Sequence, residues 1–80
     1  MREKVRQLIA TTLNKKIEEV KEESNLVNDL KVDEINLVEI AMEIEELYNT
    51  LLITEVEIET FVTVKDIIDY VVNNVPSGTV

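Results

Sequence analysis

The fold turns on the stretch Asp29-Leu30-Lys31-Val32-Asp33-Glu34-Ile35-Asn36-Leu37-Val38-Glu39-Ile40. Asp33 stands just ahead of an apolar-periodic run, where its carboxylate can accept from the unpaired backbone N–H groups of a first helical turn. From there the pattern predicts a helix running to about Tyr48 or Asn49. Ile35, Val38, Met42, Leu47 and Tyr48, with Leu37, Ile40, Ala41 and Ile44 between them, make an apolar surface wider than one stripe. A helix of that kind either lies at the centre of a bundle or shows part of its apolar surface to a partner. Glu39, Glu43, Glu45 and Glu46 occupy the remainder of its surface.

N-terminal to this helix, residues 2–13 carry Val5, Leu8, Ile9 and Thr12 at i, i+3, i+4 and i+7, the stripe of an amphipathic helix. Asn14 follows, a residue suited to the left-handed position that ends helices. Across residues 15–31 the pattern thins to Ile17, Val20, Leu26, Val27 and Leu30 among charges. We expect a long ordered loop there, pinned by those apolar residues, with a helical turn near Ile17 to Val20. Residues 51–64 read two ways. Val56, Ile58, Thr60 and Val62 alternate with other residues as in a strand, whereas Thr54-Glu55-Val56-Glu57 has the form of a capping box. No second strand pattern exists for it to pair with, so a short helix over about Glu55–Glu59 is expected. Thr63 caps a last helix whose Val64, Ile67, Ile68, Val71, Val72 and Val75 should face inward, and Pro76-Ser77-Gly78 ends it. The expected organisation is one all-α domain over residues 1–76, three long helices and one short one, with a frayed tail at 77–80.

Composition narrows the chemistry. The 80 residues include no Cys, no His and a single Gly, so disulfides, thiol nucleophiles, His bases and glycine-rich phosphate loops are excluded. With 17 acidic against 8 basic residues the net charge is −9, which points away from nucleic acid and toward basic partners. No apolar run approaches the roughly 20 residues of a membrane span. The opening Met-Arg-Glu-Lys has no apolar signal region, so a cytoplasmic protein is expected. An EF-hand frame starting at Asp29 fails at Lys31, Glu34 and Ile40, where the loop needs a ligand, a glycine and a glutamate. Glu39, Glu43 and Glu46 lie at helical spacing but read as a solvated face rather than an acid–base pair, and catalysis is not expected.

The stretch quoted first resembles the segment Asp-Leu-Gly-Ala-Asp-Ser-Leu-Asp-x-Val-Glu-Leu of acyl carrier proteins. Asp29, Leu30, Asp33, Val38 and Glu39 match it, and Ile35 and Ile40 are conservative. The likeness continues through Glu19-Val20, Ser24, Tyr48-Asn49-Thr50, Thr63-Val64 and Ile68-Asp69-Tyr70-Val71, nearly the whole chain. It implies a four-helix carrier fold and a non-enzymatic role in fatty-acid or related polyketide synthesis. It also implies 4′-phosphopantetheine as cofactor, and as partners the basic patches of acyl-synthesis enzymes and a phosphopantetheinyl transferase. No nucleic acid or membrane is implied, and a monomer is expected. Carried over position by position, docking would fall to Asp33, Ile35, Val38, Glu39, Met42, Glu45 and Glu46.

The departures fall on the attachment turn. The family joins the cofactor to the serine of Asp-Ser-Leu, and Glu34 stands in that position with no hydroxyl. Lys31 replaces Gly, Val32 replaces Ala and Asn36 replaces Asp. At the first position of a helix a glutamate also suits the macrodipole, so Glu34 is favourable there without any chemistry. Two readings stay open from sequence. One is an acyl-carrier-type protein in a form lacking its attachment serine; the other is a divergent, non-carrying homologue that acts as a regulatory or interaction protein through the same acidic face.

Overall fold

The computed structural model describes residues 1–49 and 51–75. Among the described residues four α-helices run in the order α1 (Arg2–Thr12), α2 (Glu34–Leu47), α3 (Glu55–Glu59) and α4 (Val64–Asn74), with a 3-10 turn at Ile17–Glu19. No strand forms among the described residues; a lone bridge joins Asn25 to Thr63. The ambiguous stretch is therefore helical where its capping box begins. Thr54 donates both its backbone N–H and its hydroxyl to the Glu57 carboxylate, which fixes the first turn of α3.

The other helix ends follow local chemistry. Asp33 accepts from the Asn36 N–H at 2.8 Å to open α2. Thr63 accepts from the Asp66 N–H at 3.3 Å, and the Asp66 carboxylate takes the N–H groups of Val62 and Thr63 in return, both at 2.9 Å. Leu13 caps α1, and Asn14 then turns left-handed at φ 58°.

One apolar cluster fills the space between the helices. α1 supplies Val5, Ile9 and Ala10; α2 supplies Ile40, Ala41 and Ile44; α4 supplies Val64, Ile67, Ile68 and Val71. α3 buries no residue and packs at the edge through Ile58, while Phe61 just beyond it is buried. The loop after α1 is held as expected by buried Val20, Leu26 and Leu30 and half-buried Ile17. It is also tied to the start of α4 through backbone bonds from Leu26 to Val62 at 2.9 Å, Val64 to Ser24 at 3.1 Å and Lys65 to Glu22 at 2.8 Å. On the outside, the Arg2 guanidinium spans Glu22 at 2.6 Å and Asp69 at 3.0 Å, clasping α1, the loop and α4 together.

Two residues expected inside are not. Val27 is exposed, because Val27 and Asn28 donate their N–H groups to the Asn25 side chain in a tight turn that leaves Leu26 as the inward anchor. Val72 is also exposed, lying about 80° round α4 from Val64 while Ile67, Ile68, Val71 and Val75 keep to the inner face. Two boundaries shift by a residue: α1 ends at Thr12 and α2 at Leu47. The Pro76-Ser77-Gly78 stop and the tail at 77–80 lie outside the described residues.

Candidate functional site

The first turn of α2 is displayed by the short loop before it. Val32 is buried and its N–H bonds to the Leu26 carbonyl at 2.8 Å, so the chain is anchored one residue before the Asp33 cap. Lys31, immediately before that anchor, takes a left-handed backbone at φ 57°, and its amine donates to the Asn28 carbonyl at 3.0 Å. A Cβ makes this conformation costly, which gives a physical reason for glycine at the matching family position. Asp33 and Glu34 are both exposed at the resulting helix start.

From that start α2 divides cleanly. Ile40, Ala41 and Ile44 face the core, and Ile35, Val38 and Met42 line up outward at i, i+3 and i+7. Ile35 is 69% exposed, Val38 39% and Met42 61%. Glu39 and Glu46 are exposed beside this strip. Among the residues singled out from sequence, Asp33, Ile35, Val38, Glu39, Met42 and Glu46 therefore share one open surface. Glu45 differs: it is half-buried, and its carboxylate accepts the Ile53 backbone N–H at 2.8 Å, fastening the α2–α3 connection to α2. None of Asp33, Glu34, Glu39, Glu45 or Glu46 takes part in an ion pair among the described residues.

A cleft of about 300 Å³ opens between the start of α2 and α3. Leu37, Val38, Ile58 and Phe61 form its apolar part, with Glu34, Glu55 and Glu59 among the lining residues. The contribution of α3 was not legible from the chain. The i, i+4 spacing of Glu55 and Glu59 was visible, but the face on which α3 would dock was not. The Glu57 carboxyl, on the same short helix, is held below the usual range by its hydrogen bonds from the Thr54 hydroxyl and backbone. No group of acidic residues among those described is arranged to hold a metal ion, and no described helix is long and apolar enough to cross a membrane.

Comparison with known proteins gives this geometry its context. Residues 3–71 match the family model described as the phosphopantetheine attachment site. The chain is also 39% identical over 70 residues, 88% of its length and 91% of the other's, to a protein of Wolinella succinogenes named acyl carrier protein. The group attached in such families, 4′-phosphopantetheine, needs a hydroxyl oxygen to form its phosphodiester. The first turn of α2, where the resemblance puts that oxygen, offers only Asp33, Glu34, Ile35 and Asn36, so the turn does not fit the covalent group. The nearest upstream serine, Ser24, is buried and its Oγ accepts the Lys21 N–H at 3.1 Å. Two likenesses, each covering most of the chain, nevertheless agree with the all-helical bundle: the protein belongs to the acyl carrier protein family, whose members carry acyl groups and are not catalysts.

Proposed function

We propose that this chain is an acyl-carrier-type protein of fatty-acid or related polyketide synthesis that docks on its enzymes through α2, in a form without the attachment serine. The observation that carries the reading is the outward line of Ile35, Val38 and Met42 with exposed Asp33, Glu39 and Glu46 around it. Carboxylates of one sign speed the encounter with a basic enzyme surface, and a small apolar contact supplies affinity modest enough for release. Glu45 takes part through its remaining charge while holding Ile53. On this reading one copy of the chain, in the cytoplasm, presents one α2 face to one enzyme. Glu34 sits at the position of the missing serine, so a phosphopantetheinyl transferase meets the chain without modifying it.

Intact-mass spectrometry after incubation with coenzyme A and a phosphopantetheinyl transferase tests this. The chain itself should gain no mass, and Glu34→Ser should gain one phosphopantetheine. A gain by the unaltered chain, at any residue, would overturn the placing of the site. Failure of Glu34→Ser to be modified while it still binds the transferase would favour the non-carrying homologue.

A further inference from the structure

Oxidisable side chains are scarce in this chain and unevenly placed. It has no Cys and two Met, Met1 at the start and Met42 on α2. The core cluster is built from Val, Ile, Leu, Ala and Phe side chains and contains no sulfur. Met42 is 61% exposed and follows Val38 by four residues and Ile35 by seven, so its thioether reaches solvent within the outward apolar line of α2. Glu39 and Glu46, one turn before it and one turn after, are exposed, and neither pairs with a cation among the described residues. A peroxide can therefore meet this sulfur from solvent, and no buried sulfur couples oxidation to unfolding.

We infer that Met42 is an oxidation-sensitive switch on the docking face: a hydroperoxide oxidises its thioether to the sulfoxide, which weakens docking and leaves the fold intact. With hydrogen peroxide the O–O bond breaks as the S–O bond forms, one oxygen atom passes to sulfur and the other leaves as water. The sulfur is oxidised by two electrons and the peroxide reduced by two. A methionine sulfoxide reductase supplied with a dithiol reverses the step, giving the thioether, a disulfide and water. The sulfoxide is polar, so a partner must strip water from it where it would otherwise cover an apolar side chain. The carboxylates of Asp33, Glu39 and Glu46 keep their charge, so encounter is preserved while release becomes faster. The loss of docking rests on the α2 reading proposed above; the oxidation of Met42 does not.

Treatment of the full chain with hydrogen peroxide, followed by peptide mapping and by binding to a phosphopantetheinyl transferase, tests the switch. Met42 should gain one oxygen as fast as a methionine in an unstructured peptide, with the helical circular dichroism unchanged. The oxidised chain should bind the transferase about tenfold more weakly, since a buried Met side chain contributes at least that much. The loss should appear in dissociation, with association changed by less than about twofold. Methionine sulfoxide reductase should restore binding, and Met42→Leu should bind equally before and after peroxide, which sets Met1 aside. Met42→Gln, polar and of similar length, should bind as weakly as the oxidised chain. Absence of binding by the unaltered chain, or undiminished binding by Met42→Gln, would remove docking through α2 and the switch with it. Weak binding by Met42→Gln beside full binding by the chain oxidised at Met42 would overturn the switch alone. So would loss of helix on oxidation, or a Met42 left unmodified while Met1 reacts.

Discussion

Glycine at position 31 is expected to make the protein more stable than alanine does, and the size of the effect follows from one dihedral angle. Lys31 sits at φ 57°, where the Cβ of an L-residue costs roughly 1–2 kcal/mol. Glycine removes that cost but gives back roughly 0.5–1 kcal/mol through the greater freedom of the unfolded chain. The side-chain bond from Lys31 to the Asn28 carbonyl is lost as well. Alanine provides the matched control, because Lys31→Ala loses the same charge and the same hydrogen bond but keeps the Cβ. At the middle of these ranges glycine should therefore exceed alanine by about 0.8 kcal/mol, or about 3–6 °C in Tm for a domain of this size. Urea denaturation of the two variants side by side, with equal slopes, is the assay. An alanine variant as stable as the glycine variant, or more so, would refute the strain at residue 31 and with it the explanation of why the family uses glycine there.

The Arg2 clasp should give the protein a defined acid sensitivity. The Glu22 carboxyl is held below its ordinary range by Arg2, and that of Asp69 by Lys65 and Arg2, so this stabilisation is complete above the ordinary carboxylate range and lost as pH falls through the lowered values. The Tm gap between the protein and Arg2→Gln should be full at pH 7 and close as the pH falls below about 4; a gap that widens on acidification would reverse the argument. Glu45→Gln should cost about 1 kcal/mol in denaturant melts by weakening the charge-assisted bond to the Ile53 N–H, while Glu46→Gln should cost almost nothing. Docking to a basic acyl-synthesis enzyme should weaken steeply with salt, and Glu39→Lys should slow association in stopped-flow measurements more than Glu59→Gln does; salt-independent binding would count against the acidic face. Magnesium or moderate salt should raise Tm, since 17 acidic residues face 8 basic ones, and a flat or falling Tm would show that the repulsion is negligible.

What could be read from the chain was what depends on neighbours a few residues away. Asp33 and Thr63 announce helices because a short side chain accepts an N–H group within the same turn, and Thr54 does so because the Glu57 carboxylate three residues on accepts its backbone N–H. Asn14 announces an end because its side chain tolerates the left-handed region. Lys31 adopts the same backbone without any such signature, and only the glycine at the matching position of the family segment it resembles sets it apart. The outward line of Ile35, Val38 and Met42 was legible from the excess of apolar residues on α2, since one flank of a helix in so small a bundle cannot all be buried. Glu45 was not separable from Glu46 by pattern. The two are adjacent glutamates on one helix, and what distinguishes them is that the chain returns to place the Ile53 N–H against Glu45. The same return sets α3 beside the start of α2, bringing Glu55 and Glu59 to the cleft that Glu34 also lines. Local chemistry thus determines which residues start and stop the helices, whereas the partner of Glu45 and the surroundings of Glu34, Glu55 and Glu59 are decided by the path of the connection between α2 and α3. Glu34, Glu55 and Glu59 are left unpaired by that path, and a cleft with an apolar wall and no cation of its own is the result.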